Sequence, residues 1–411
     1  MGSRVGSGAG LADVCCGLSV RLAQDAPIPL AAAFACAPGE MLALVGPSGS
    51  GKSTILRTIA GLYRPKNGSV EVDGQAWFDS EDAVWVPAHR RRAGLVFQNY
   101  ALFPHLTALD NVTAALGHLA QTQRRARAGQ LLELVHLAGL EGRRPAELSG
   151  GQQQRVAVAR ALGREPKVLL LDEPFSAVDK TTRQKLYREL AAMRQRLSMP
   201  VVLVTHDLDE ALMLADRLSL LHHGRTLQEG SPLQVMQQPS TVEAARLVGQ
   251  RNLFDGIVLE HQAPPGFTLL RWCGRVLEAK RNPAYSAGAS VSWMIPSSHL
   301  VLHRRDRPSR GEHENPVPGT ITECLALGET TSCALAVHGP AELSLAFSVP
   351  SHVAARNRLG VGERATVSLL ASGIHLMPPD EPLGWSDDAH GRPRSKAADA
   401  SEIGRAPLSP P

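Results

Sequence analysis

The chain has 411 residues, 43% of them hydrophobic and 4% aromatic, a length that exceeds one small core and suits two domains. Lys plus Arg number 43 against 39 Asp plus Glu, and a formal charge of +4 with no long basic run argues against a dedicated nucleic-acid binder. Cys15, Cys16, Cys36, Cys273, Cys324 and Cys333 form no Cys-x-x-Cys pair, which speaks against a disulfide framework or zinc site and for a reducing compartment.

The first ten residues, MGSRVGSGAG, read as a flexible start rather than a signal peptide. Residues 41–45 form an apolar strand running straight into the glycine-rich loop GPSGSGKST at 46–54, and a helix follows over 52–60, closed by Gly61. A short strand at 95–97 leads to Gln98. Over 105–165 the pattern is helical, with Leu131, Leu132, Val135 and Leu140 at one-face spacing behind Arg124, Arg125 and Arg127. Two further apolar strands, 168–171 and 201–205, end at Asp172 and His206. A strand at 218–221, a turn at His223-Gly224 and a second short strand close this half. Such alternation of apolar runs with helices predicts an α/β unit on a mostly parallel sheet, with ligands gathered at the strands' carboxyl ends.

Beyond about residue 250 short alternating runs separated by Pro and Gly predict a small all-β barrel over 250–380. A proline- and charge-rich gap at 304–318 is expected to divide it or to form a loop. Residues 384–411 have little to bury and are expected to be disordered. No uninterrupted apolar run reaches the roughly 18 residues that span a bilayer.

The chemistry begins with the loop at 46–54. Gly46, Pro47, Ser48, Gly49, Ser50 and Gly51 would wrap backbone N–H groups around phosphate, Lys52 would reach the β- and γ-phosphates, Ser53 would ligate Mg²⁺ and Thr54 would lie near the α-phosphate. Asp172, delivered to the rim of an apolar strand, can hold the same ion. Glu173 beside it is free to polarise an attacking water. Gln98 can touch the ion or that water. Ser149 is a good helix N-cap, and the run 152–162 reads as a helix.

Together, the loop at 46–54 and Leu148-Ser149-Gly150-Gly151-Gln152-Gln153-Gln154-Arg155 resemble the ABC-type ATPases, here of the importer class. That resemblance covers 39–235 most specifically and implies a P-loop NTPase unit over 11–240, with a helical subdomain at about 99–165, followed by an accessory OB-like barrel. It implies a homodimer that sandwiches two ATP molecules, with Ser149, Gly150, Gly151 and Gln152 of one copy facing the γ-phosphate held by the other and Asp179 lying along the interface. It implies that His206 contacts the γ-phosphate and aligns the water with Glu173, so that Glu173, His206 and Lys52 carry hydrolysis. Integral membrane permease subunits, docked near 98–105 by the aromatics Tyr100 and Phe103, and indirectly a solute-binding protein are the implied partners, with the chain peripheral at the cytoplasmic face of the membrane. Molybdate or another oxyanion, iron and polyamine all fit as cargo; a soluble ABC ATPase acting on nucleic acid or ribosomes is the alternative from another class. One departure stands out: the family stacks adenine on an aromatic upstream of the loop, and between Leu11 and Ala37 the only aromatic is Phe34.

Overall fold

The computed structural model describes residues 17–176, 180–194, 196–262, 266–304, 313–339 and 343–380. In chain order the first half contains β1 (Leu18–Gln24), β2 (Leu30–Cys36), β3 (Met41–Val45), α1 (Lys52–Ala60), β4 (Gly68–Val72), β5 (Gln75–Asp79), β6 (Val84–Trp85) and β7 (Ala93–Val96). Then come α2 (Ala108–Thr113), α3 (Gln121–Leu134), α4 (Gly150–Leu162), β8 (Val168–Asp172), α5 (Lys180–Arg194), β9 (Val201–Thr205) and α6 (Leu208–Leu214). The half closes with β10 (Arg217–His222), β11 (Arg225–Gly230), α7 (Pro232–Gln237) and α8 (Val242–Leu247).

Eleven strands form one sheet in the order β6-β5-β4-β1-β2-β11-β10-β3-β9-β8-β7. From β10 to β7 every neighbouring pair is parallel, and the strands are apolar runs buried on both faces, as a sheet covered by helices requires. The expected mostly parallel sheet is therefore confined to one side. On the other, β2-β1-β4-β5-β6 is an antiparallel meander with alternating burial, packed by Trp77, Phe78 and Phe34. Strands β5 and β6 form a hairpin at its edge.

Strand direction sets where chemistry collects. Because β3, β9, β8 and β7 run parallel, with Val45 paired to Thr205, Val204 to Asp172 and Leu171 to Val96, the residues that follow these strands emerge at one sheet edge. Those residues are Gly46, His206, Glu173 and, two positions past Val96, Gln98. Helices α2, α3 and α4 pack Val112, Ala128, Leu132 and Val156, with Leu116 from the α2–α3 connection, into a core shared with Val96 and Leu171, which fixes the helical segment to the sheet.

The second half contains β12 (Leu253–His261), β13 (Phe267–Trp272), β14 (Arg275–Lys280), β15 (Ser290–Met294), β16 (Leu300–Leu302), β17 (Glu314–Leu327), β18 (Thr330–Val337), β19 (Ser344–Pro350), α9 (Ser351–Arg356), β20 (Arg364–Leu370) and β21 (His375–Met377). Two five-stranded antiparallel sheets, β14-β13-β12-β15-β21 and β16-β20-β17-β18-β19, enclose one core of Trp272, Trp293, Leu335, Phe347 and Val367, the expected all-β unit. The gap expected at 304–318 does not divide it. Residues 305–312 lie outside the described residues, whereas 314–318 belong to β17 despite Pro316 and Pro318. Those prolines are tolerated because the ladder to β18 begins only at Gly319, leaving them a single paired neighbour, β20. Residues 1–10 and 384–411, expected to be flexible, also lie outside the described residues.

Between the halves, Val242 and Ala245 pack with Met294 and Met377, and His375 Nε2 lies 2.9 Å from the Pro239 carbonyl oxygen. No described helix is long and apolar enough to cross a membrane.

Candidate nucleotide site

Val45 leads into the 46–51 loop, and α1 starts at Lys52, so the N–H groups of the first helical turn open toward the loop. Gly46 is required there by close approach: a Cβ on it would lie 2.1 Å from the Leu221 carbonyl oxygen. Pro47, Ser48 and Gly49 are exposed, Ser50 is buried, and Gly51, Ser53 and Thr54 are half-buried. Lys52 is 5% exposed and turns its ammonium back onto the loop, donating to Gly46 O and Pro47 O, both at 2.8 Å. Burial pushes its pKa down, opposed by the Glu173 and Asp172 carboxylates. The Lys52 ammonium is thus held by the loop's own carbonyls.

Ser53 donates to Asp172 Oδ1 at 3.1 Å. Burial is the main reason that the Asp172 carboxyl is pushed up, with the Ser53 hydrogen bond acting the other way. A hydroxyl and a carboxylate converging at a helix start are hard oxygen donors of the kind Mg²⁺ takes, so the donor set fits that ion. Gln98 reaches the neighbouring carboxylate: its Nε2 lies 3.5 Å from Glu173 Oε2.

Glu173 is the most constrained of the group. It is a non-glycine residue at φ 43°, a conformation costing about 1–3 kcal/mol. Its N–H donates to Val204 O at 2.9 Å, and its carbonyl accepts the Ser176 hydroxyl at 3.0 Å. His206 Nδ1 lies 3.2 Å from Glu173 Oε1. Glu173, Ser176, Arg183, Thr205, His206 and Glu210 line a hollow of about 70 Å³.

Several supports here carried no signal in the sequence. Glu210 is buried, accepting from Thr205 Oγ1 at 2.5 Å and from Tyr187 Oη at 3.2 Å, and desolvation pushes its carboxyl up. Arg183 Nη1 pairs with Asp207 at 3.2 Å. The spacing Thr205-His206-Asp207 followed by Glu210 was visible, but nothing in it said that Glu210 turns inward.

Ser149, Gly150, Gly151 and Gln152 start α4, where Ser149 and Gln152 cap one another reciprocally: Ser149 N–H donates to Gln152 Oε1 at 2.9 Å, and Gln152 N–H to Ser149 Oγ at 3.3 Å. Among the described residues no hydrogen bond joins 149–152 to the loop at 46–54. At Gly151 a side chain would point inward: a Cβ would sit 2.5 Å from Leu186 on α5. Only its first-turn N–H is left to face an external ligand. Asp179, expected along an interface, lies outside the described residues.

The far end of α4 reaches the segment after Gln98. Arg160 donates to Tyr100 O at 2.9 Å and Ala101 O at 2.8 Å and lies over the Phe103 ring. Asn111, fully buried, donates to the carbonyls of Phe103, Leu106 and Thr107 and accepts the Phe103 N–H at 2.8 Å. Tyr100, expected at the surface, is 4% exposed with its hydroxyl on Pro174 O at 3.2 Å, because its left-handed backbone turns the ring into the core. Phe97 and Phe103 supply the exposed aromatic surface instead, at 40% and 44%. Phe34 is closed off in the core at 1% exposure and offers no face to a base.

A family model described as ABC transporter matches residues 31–176. The chain is 36% identical over 294 residues to the spermidine/putrescine import ATP-binding protein of Aggregatibacter actinomycetemcomitans, covering 71% of this chain and 76% of that one. It is 49% identical over 228 residues to the sulfate/thiosulfate import ATP-binding protein of Caulobacter vibrioides, covering 54% and 66%, and 46% identical over 218 residues to the Fe(3+) ions import ATP-binding protein of Rhizobium etli, covering 53% and 60%. Among solved structures, a dimeric post-hydrolysis state of the ATP-binding cassette MJ0796 bound to ADP and Pi is 32% identical over 52% of this chain and 98% of that one, with a TM-score of 0.44.

Proposed function

Since the chain belongs to the ABC transporter family as an importer-type ATP-binding subunit, we propose that two copies close around two ATP molecules, hydrolyse them and drive solute import through membrane permease subunits. The observation carrying this reading is the placement of Glu173, bracketed by His206 at 3.2 Å and Gln98 at 3.5 Å beside the Ser53–Asp172 pair. Phosphoryl transfer to water needs positioning and charge neutralisation more than covalent chemistry, and these groups supply both.

In this account Lys52 leaves the carbonyls of Gly46 and Pro47 for the β- and γ-phosphates, and loop N–H groups hold the remaining oxygens. Ser53 and Asp172 would hold Mg²⁺, whose charge offsets that of the phosphates. Glu173 accepts a proton from the attacking water while His206 and Gln98 fix its carboxylate. Ser149 and the first-turn N–H groups of α4 complete the site from the second copy. Loss of the γ-phosphate would then release that second copy, and α4 would carry the change through Arg160 to the 100–103 segment, where exposed Phe97 and Phe103 suit a docked permease helix.

Residues 11–240 are assigned to this ATPase unit and 250–380 to an accessory β unit, with the whole subunit peripheral at the cytoplasmic face and an external solute-binding protein feeding the permease. An oxyanion of the sulfate or molybdate type is the proposed cargo, supported by the 49% identity to the sulfate relative; uptake assays of sulfate, molybdate, spermidine and Fe(3+) in a strain lacking the gene would test it. The catalytic reading is tested by Glu173→Gln, which should retain ATP binding and lose hydrolysis by about a hundredfold or more. Turnover at the wild-type rate would refute it.

A further inference from the structure

Cys324 and Cys333 are direct partners in the antiparallel register of β17 and β18, and their sulfurs lie 3.5 Å apart. Opposed residues of such a pair carry Cβ atoms about 4.5–5.5 Å apart on one face, just beyond the roughly 3.5–4.5 Å of a closed disulfide. A side-chain rotation and a slight approach of the strands would bring the sulfurs to bonding distance. Access to them is unequal. Cys324 is half-buried, its thiol 3.8 Å from Leu359 O, whereas Cys333 is 3% exposed and burial, reinforced by Cys324, pushes its thiol up to about 12. Cys36, in contrast, is buried and donates to the Glu40 carbonyl at 3.4 Å.

We infer that Cys324 and Cys333 are a redox-active dithiol, closed into a cross-strand disulfide by a low-molecular-weight disulfide. The more accessible Cys324, as thiolate, attacks one sulfur of the oxidant RSSR; the S–S bond breaks and RS⁻ leaves, taking up the proton that Cys324 lost. Cys333 then gives up its proton, attacks the Cys324 sulfur and expels the second RS⁻, which takes that proton. Two protein thiols and RSSR become one protein disulfide and two RSH, so two electrons pass to the oxidant. Because Cys333 is buried, the second step is slow and accelerates as pH rises. A bond drawn together between strands is the kind that reduces readily.

Oxidation would staple β17 to β18 four residues before the turn at Gly328 and remove the weak donation from Cys324 to Leu359. Leu359 lines a cavity of about 350 Å³ together with His303, His338, Asn357 and Arg364. The inference concerns the β unit alone and stands independently of the transport reading.

Its test uses the full chain. Cleavage after Lys and Arg yields a fragment, 311–356, that contains Cys324 and Cys333 and no other cysteine. Protein incubated with glutathione disulfide is quenched in acid, alkylated in denaturant, digested and weighed. The expected fragment is two hydrogens lighter, carries no alkyl group, and returns to the doubly alkylated form after dithiothreitol. Its formation should quicken by about tenfold per pH unit near neutrality, as expected of a thiol titrating far above that range. Cys333→Ser, checked for folding by circular dichroism, should stop at a glutathione adduct on Cys324. A wild-type fragment recovered with both cysteines alkylated, or one that stops at the same adduct, would overturn the inference.

Discussion

His206 Nδ1 lies 3.2 Å from Glu173 Oε1, and the two side chains reach each other because they follow neighbouring parallel strands whose register pairs Asp172 with Val204. An imidazole in that position holds the carboxylate rather than the phosphate loop. His206→Ala should therefore lower kcat by about a hundredfold while ATP affinity, set largely by the loop at 46–54, changes little. Steady-state hydrolysis combined with equilibrium nucleotide binding checks the split; equal losses in both would assign His206 to binding.

Gly151 and Leu186 make a second, separable prediction. A Cβ at 151 collides with Leu186, so Gly151→Ala should destabilise the chain by about 1–3 kcal/mol through overpacking, with no nucleotide present. Leu186→Ala added to it should restore part of that stability. Urea unfolding of both variants decides whether this glycine serves the fold as well as the ligand.

Arg91 is 1% exposed and has no carboxylate partner among its described bonds; its guanidinium donates to the carbonyls of Val86, Thr58, Ile59 and Trp77 and lies over Trp85. It closes the C-terminal end of α1, the helix that presents Lys52. Burial lowers its pKa to about 10, still well above neutral pH. Arg91→Met should cost about 3 kcal/mol or more because four buried carbonyls lose their donor, and Arg91→Lys should recover little because an ammonium cannot span that fork. Denaturant midpoints measure both.

The Glu210 carboxyl is pushed up chiefly by burial, so the folded chain holds its proton more tightly than the unfolded chain. Between the ordinary glutamate value of about 4.3 and the raised folded value, stability must fall as pH rises. Glu210→Gln cannot titrate. The stability of wild type relative to this variant should decline across that window and level off above it, as unfolding at several pH values will show; a difference independent of pH would remove Glu210 from the balance.

These cases show where the sequence spoke and where it was silent. The parallel strands and their terminal residues were legible because an apolar run ending in a polar residue has few other readings, and the loop at 46–54 and the segment at 148–155 are long, specific motifs. The antiparallel meander was not, since β2, LAAAFAC, is alanine-rich and lacks the β-branched signature of a strand. Tyr100 was misplaced because sequence periodicity does not register a left-handed backbone. Glu210, Arg91 and Asn111 look like ordinary polar residues until the fold turns them inward.

Under the proposed function, each working site is built from two chains. Ser149→Arg and Lys52→Ala should each abolish hydrolysis alone, one from the capping side and one from the loop side. Mixed in equal amounts they should regain about a quarter of the wild-type sites, since half the dimers are mixed and each of those holds one intact pairing of loop and α4 start. Recovery near that level, measured as ATP turnover at a concentration that favours dimers, is the predicted result; no recovery, or full activity in either variant alone, would contradict the account.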